Sequence, residues 1–264
     1  MPSRRSKGFT RETGYKLLRI LIFYVLAIGL WWMVAGAQIW SPYLFPAPDA
    51  VYASLRTNIE NNQIPAAIVA SLQRMAIGYV LSFIFGMAMG ILIASSKWAN
   101  ETIGGVILGV QSLPSITWLP LAVLWFGLSE NAIVFVVLMG SAFSIAISAR
   151  AGILGIPPLL QRAAGTLGAS KWQAYVYVVL PGMIPAMVQG MKQGWSFAWR
   201  SLMAGELLFV SAGLGHLLNV GRDLNNISMV FAVMIVIVIV GVTVDRVIFG
   251  RAEHWVRERW GYAA

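Results

Sequence analysis

Cysteine is absent from this sequence, so the chain holds no disulfide, no thiol nucleophile and no cysteine-ligated metal. Histidine is scarce as well: His216 and His254 are the two imidazoles, and the spans derived below set them on opposite sides of a membrane. Asp and Glu together number 10 in 264 residues, too sparse for a convincing metal or acid–base site. No serine, histidine and carboxylate set is suggested by spacing, and no G-x-x-x-x-G-K-[ST] phosphate loop occurs. These absences argue against an enzyme and against a cofactor or metal bound by the chain itself. Charge is scarce too: 11% of residues are charged against 58% hydrophobic, and so much apolar surface cannot be hidden in one soluble core.

What is present is a series of runs that reach the ~20 apolar residues needed to cross a ~30 Å hydrocarbon core as a helix. The alternating segments of an outer-membrane barrel are missing. The fold class is therefore an all-α membrane protein. Six spans are expected, at roughly residues 17–37, 66–94, 101–128, 132–149, 183–210 and 228–250. The third contains Pro114 and Pro120, each lacking a backbone donor, so a kink or a split into a short helix and a longer one is expected there.

Basic loops stay on the cytoplasmic side. With both termini inside, the inner segments hold Arg4, Arg5, Lys7, Arg11, Lys16, Arg19, Lys97, Arg150, Arg162, Lys171, Arg246, Arg251, Arg257 and Arg259, and the outer ones hold Arg56 and Arg222. That asymmetry sets the orientation: residues 1–16 and 251–264 are cytoplasmic ends, and residues 38–65 and 211–227 are outer loops. The net charge of +9 reads as topology and attraction to anionic lipid, since no nucleic-acid motif accompanies it. The basic start leads into a full-length span with no small-residue cleavage site close behind, so the first span is expected to stay as an anchor.

In the first outer loop, Asp49 is expected to cap a short amphipathic helix through Val51, Leu55 and Ile59 lying on the outer surface. The second carries Gly213, Gly215, His216, Arg222 and Asp223. Each loop is open to two readings, a contact surface or interfacial anchoring and turns.

Residues 157–181 are a polar, glycine-punctuated island between the fourth and fifth spans. Pro157 and Pro158 open a helix whose apolar face is Leu159, Leu160, Ala163, Ala164 and Leu167, and Gly168 ends it. Ser170 caps a second helix, from Lys171 to Val179, that Pro181 is expected to stop.

Ala163-Ala164, then Gly168, then Val178-x-Leu180-Pro181 resemble, in register over twenty residues, the EAA loop of permease subunits of bacterial ABC importers. In that family the loop is a coupling helix that docks in a groove of the cytoplasmic ATPase, and the resemblance implies this role for Arg162, Ala163, Ala164, Gly168, Leu180 and Pro181. Arg162 stands where the family has glutamate, which implies altered charge pairing at the ATPase surface with docking retained. The likeness extends to nearly the whole chain. Leu113-Pro-Ser-Ile-Thr-Trp-Leu-Pro-Leu121 with Leu124-Trp-Phe-Gly127, and Trp199-Arg-Ser-Leu-Met-Ala-Gly-Glu206 with Gly213-Leu-Gly215, are similar to the nitrate, sulfonate, taurine and bicarbonate branch.

The resemblance implies a type I importer permease fold over residues 1–264 in a bacterial inner membrane. It also implies two permease subunits, with a homodimer as the simpler case, two ATPase subunits that use ATP and Mg, and a substrate-binding protein outside. A small anion is the expected cargo. Two alternatives stand beside it: the same assembly importing another organic solute of the thiamine-precursor or riboflavin type, and a proton-coupled secondary transporter with the proton on Glu206 or Asp245.

The pathway is sought among polar residues that lipid would not tolerate. On the fifth span Lys192, Trp195, Trp199 and Glu206 fall within an arc of about 60° at ~100° per residue, with Ser196 and Arg200 beside them. Two cations, two indoles and a hydroxyl on one side of a helix suit a small anion. The structural alternative is that Arg200 or Glu206 pairs with a charge on another helix, and that the tryptophans pack or anchor. On the second span, Ser71, Gln73 and Arg74 cluster near the outer end, with Arg74 expected to snorkel. Gly78, Gly86 and Gly90 permit close helix packing, and Asp245 with Arg246 reads as an orientation and packing pair.

Overall fold

A computed structural model describes residues 6–208 and 212–260, with side chains from residue 14 onward. Arg4, Arg5, Val210, Ser211 and residues 261–264, and the side chains of Lys7 and Arg11, lie outside the described part. Among the described residues every regular element is helical: α1 (Ser6–Gly36), α2 (Pro48–Glu60), α3 (Gln63–Ala94), α4 (Lys97–Glu101), α5 (Ile103–Gln111), α6 (Leu119–Phe126), α7 (Glu130–Leu154), α8 (Pro158–Thr166), α9 (Lys171–Ala174), α10 (Leu180–Leu208), α11 (Leu214–Asp223), α12 (Ile227–Val244) and α13 (Gly250–Arg259). Five helices are long and apolar enough to cross a membrane, and the bent pair Lys97–Gln111 and Ser115–Phe126 makes a sixth span.

α7 is the centre of the bundle, packed between α3 and α10. Small residues set the approach. A Cβ on Gly86 would come 2.5 Å from the Ala142 carbonyl oxygen, and one on Gly90 would come 2.6 Å from that of Ala146, so the glycines of α3 seat it against α7 of the same chain. Backbones this close gain dispersion contacts that lipid tails cannot offer. Ala132, Ile133, Val136, Val137, Ala146 and Ala149 of α7 are correspondingly buried.

α1 stands apart. Its apolar side chains are exposed, Phe23 and Leu26 at 67% each. Its described tie to the bundle is at its C-terminal end, where Trp31 Nε1 donates to the Pro46 carbonyl at 3.1 Å and the indole stacks on Phe231. α2 is amphipathic as expected and packs on α12, but Asp49 does not cap it. Ala47 occupies the cap position without a side-chain bond and Pro48 opens the helix, leaving Asp49 in the first turn to complement the helix dipole.

The third span is split. α5 ends at Gln111, Pro114 precedes a single 3-10 turn at Ser115–Trp118, and α6 leaves at 97° to the first half. Pro114 has no N–H to donate and disfavours helical geometry at Leu113, whereas Pro120 sits in the first turn of α6, where its missing donor costs nothing. The two halves nonetheless cross from one end of the bundle to the other. Asn100 accepts from Arg150 Nε near the C-terminal end of α7, and Glu130, four residues after α6, meets Arg74 at the opposite end.

The second helix of the 157–181 island does not stop at Pro181. Lys171–Leu208 runs on as one helix, because Tyr175–Val179 widens to a π turn in which Leu180 N donates to the Tyr175 carbonyl. The wider turn makes room for the Pro181 ring. A second π turn, Asp245–Phe249, joins α12 to α13. Neither Asp245 nor Arg246 enters an ion pair among the described residues.

Candidate functional site

The island presents itself to solvent at the end of the bundle that carries Lys97, Arg150, Lys171 and Arg251. α8 has no buried residue, and Leu159, Leu167 and Trp172 are 74%, 88% and 73% exposed. Gly168 turns the chain at φ +85°, a left-handed geometry that glycine adopts without a Cβ penalty. Ser170 then caps α9 in a reciprocal box: its Oγ accepts from Gln173 N at 3.2 Å while Gln173 Oε1 accepts from Ser170 N at 2.8 Å. Arg162, Ala163 and Gly168 are exposed, Ala164 and Pro181 half-buried, and Leu180 36% exposed. The loop is thus a rigid, capped corner with apolar side chains that nothing among the described residues covers.

The polar residues of α10 diverge in their surroundings. Glu206 is wholly buried. Its carboxylate accepts from Ser71 Oγ at 2.8 Å, from Arg74 Nη1 at 2.9 Å and from Gly215 N at 2.9 Å. Ser71 Oγ in turn accepts from Leu214 N at 2.9 Å, and Arg74 also donates to the Ala212 carbonyl at 2.5 Å and to Glu130 at 2.8 Å. Arg74 therefore does not snorkel. At 5% exposure it is held inside by two carboxylates, because a buried guanidinium with an ionic partner on each side is better satisfied than one reaching for headgroups. The node ties α3, α7, α10 and the start of α11 together. Gly213 and Gly215 fit because a Cβ on either would fall within 2.6 Å of Glu206.

Lys192 pairs at 3.0 Å with Glu253 of α13, which also accepts from Arg257 at 2.5 Å. α13 lies beyond the apolar run of the last span. There the Lys192 ammonium, and after it the Arg257 guanidinium, hold the Glu253 carboxyl below the usual carboxylate range. Trp195 and Trp199 are 7% and 9% exposed, stacked at 5.9 Å and joined to the core beside Tyr79 and Phe249. Tyr79 Oη donates to the Met191 carbonyl at 2.6 Å.

Ser196 and Arg200 are the exposed members of the set. Arg200 Nε donates to the Ser196 carbonyl at 3.0 Å and its guanidinium lies 4.9 Å from the centre of the Phe197 ring. It lines a cavity of about 260 Å³ whose other walls include Gln111, Ser112, Leu113, Pro114 and Ser115 at the break of the third span. Pro114 marked the break in the sequence, but nothing in the sequence joined that break to Arg200. Gln111, Ser112 and Ser115 around Pro114, polar residues inside an apolar run, were the signal. Glu130 and Glu253 were likewise visible only as isolated carboxylates.

Residues 82–258 match the family model described as binding-protein-dependent transport system inner membrane component. An ABC transporter permease protein of Methanocaldococcus jannaschii is 30% identical over 246 residues, covering 91% of this chain and 92% of that one. The taurine transport system permease protein TauC of Escherichia coli is 29% identical over 218 residues, 81% of this chain and 79% of that one. The nitrate import permease protein NrtB of Synechocystis is 28% identical over 181 residues, 69% and 66%. Among solved structures, the MetNI methionine ABC transporter in an inward-facing conformation aligns with TM-score 0.60 at 20% identity, over 74% of this chain and 96% of that one. An amino acid ABC transporter aligns with TM-score 0.62 at 17% identity, over 78% and 97%. Both carry the same helical fold. With the family model spanning more than half of its length and a helical bundle that superposes on ABC transporter structures, this chain belongs to the binding-protein-dependent transport system inner membrane components, the permease family of ABC importers.

Proposed function

We propose that the chain forms the translocation pathway of an ATP-driven importer of small anions, of the sulfonate, taurine, nitrate or bicarbonate kind. The named relatives support the cargo class. The observation that carries the mechanism is the exposed, capped corner of α8 and α9 at the head of a continuous helix. Lys171–Leu208 leads without a stop from that corner to Arg200 and Glu206, so a push on the corner reaches the middle of the bundle through one rigid element. An ATPase that grips Arg162, Ala163, Ala164 and Gly168, with Leu180 and Pro181 at the root of the lever, shifts the bundle only insofar as each nucleotide state prefers one packing.

On this reading residues 157–181 and both termini (1–16 and 251–264) are cytoplasmic, and residues 38–65 and 211–227 face outward to a substrate-binding protein. A second copy of the chain completes the pathway, lipid surrounds α1, and ATP and Mg belong to the partner. The test is purification from native membranes in mild detergent followed by reconstitution into vesicles. The expected result is an ATPase subunit at one per permease and ATP-driven uptake of taurine, ethanesulfonate or nitrate that requires the binding protein. Uptake driven by a proton gradient without any ATPase subunit would replace this reading with a secondary transporter.

A further inference from the structure

Lys192, Arg200 and Glu206 are the charged residues of α10, and two of them are paired with opposite charge, Lys192 with Glu253 and Glu206 with Arg74. Arg200 has no carboxylate partner among the described residues. Its depth makes that costly. The neighbouring Ser201 packs against Gly140, which lies along α7 about 15 Å from Glu130 and about 21 Å from Leu154 at 1.5 Å per residue. A guanidinium near the middle of a membrane is expensive unless it faces water or a counter-charge.

Arg200 faces a cavity. Its Nε is fixed on the Ser196 carbonyl and its plane is steadied by Phe197, and neither Nη group makes a hydrogen bond among the described residues. Of the polar walls, Ser112 Oγ donates to the Gly109 carbonyl at 2.6 Å. The Ser115 hydroxyl and the Gln111 amide make no hydrogen bond among the described residues. Val110, Leu113, Met139 and Phe143 supply the apolar remainder, and among the described residues no carboxylate lines the space. A volume of about 260 Å³ is roughly that of nine waters at ~30 Å³ each, room for a small anion that keeps part of its hydration.

Resting on the importer reading, we propose that this cavity at the break of the third span is an anion station inside the membrane. Arg200 holds one singly charged oxyanion there through its paired Nη donors, and Ser115 and Gln111 complete the donor set. The break in the span is what brings Ser115 opposite Arg200, since an unbroken helix through Pro114 would carry the side chains past it. One guanidinium neutralises one charge, and its fork matches two oxygens of a sulfonate, nitrate or bicarbonate group.

The absence of cysteine gives a direct test. Ser115→Cys and Ser112→Cys each place a single thiol in the chain, to be labelled in the reconstituted complex by 2-sulfonatoethyl methanethiosulfonate and read by mass spectrometry of the chain. Labelling is followed without nucleotide and in the ATP–vanadate state, with ethanesulfonate, nitrate or, at matched ionic strength, sulfate as competitor. The expected result is that ethanesulfonate and nitrate slow labelling and sulfate does not. Arg200→Gln removes the protection, a loss of roughly 10- to 100-fold in apparent affinity for a charge-assisted contact, and Arg200→Lys retains a weaker part of it. The proposal is overturned if neither thiol is labelled in either state, if the monoanions give no protection, if sulfate protects equally, or if protection survives in Arg200→Gln. ATP-driven uptake on the same vesicles separates the two levels. Uptake without protection removes this site and leaves the importer, while protection without ATP-driven uptake does the reverse.

Discussion

Glu206 and Arg200 lie six residues apart on one helix, and the bundle treats them in opposite ways. Glu206 is sealed, with three donors converging on its carboxylate and an arginine shared with Glu130. Arg200 is exposed to a cavity with its charge uncommitted. Six residues turn a helix by about 240°, so the two side chains leave the helix on different faces, one against α3 and α11 and the other toward the broken span. A charge inside a membrane protein is therefore no single kind of signal. Where partners close around it, the charge organises the fold, and where they do not, it opens onto a cavity.

The comparison breaks most sharply at Glu206. Glu206→Ala leaves Arg74 buried beside one exposed carboxylate, and the expected loss is about 3–5 kcal/mol, read as a lower melting temperature and a lower yield of intact complex. The double replacement Arg74→Met with Glu206→Met is expected to be milder than Glu206→Ala alone, and a harsher double would show that the pair does not act as a unit. Next comes Gly215→Ala, whose Cβ would lie 2.6 Å from Glu206 Cβ and 2.9 Å from the Met203 carbonyl oxygen. Overpacking against backbone is expected to cost about 1–3 kcal/mol, checked by the same thermal assay.

Gly168→Ala puts a side chain at φ +85°, a strain of about 1–2 kcal/mol. Its effect should be confined to the exposed corner: ATP hydrolysis becomes less dependent on substrate while the melting temperature of the membrane bundle moves little. Lys192→Gln removes a half-exposed pair and is expected to change stability by about 0–1 kcal/mol. The smallest stability change belongs to Arg200→Gln, within about 0.5 kcal/mol, although transport falls. A large drop in melting temperature for Arg200→Gln would place it with Glu206 as a structural charge.

Much of the fold was legible because the membrane imposes a simple rule: about twenty apolar residues per span. All six spans appear near their expected places, and Pro114 announced the break in the third. The rest was hidden for specific reasons. Pro181 signals a stop by local sterics, but the π turn at Tyr175–Val179 accommodates it, and a turn of that kind has no reliable sequence mark. Asp49 looked like a cap, yet the chain enters α2 two residues earlier through Pro48. Arg74 looked like a snorkelling residue because its partners Glu130 and Glu206 stand 56 and 132 residues away, and no local pattern connects them.

The sequence by itself determined the helical membrane architecture, the uneven sharing of basic residues between alternate loops and the glycine-turned, serine-capped corner, since each depends on composition or on residues within a few positions of one another. Only the tertiary structure decided which intramembrane charge is sealed and which is open. That outcome depends on whether residues remote in the chain bring donors and carboxylates within 3 Å. At Glu206 the packing of α3, α7 and α11 around α10 does so; at Arg200 the bent third span leaves a cavity instead.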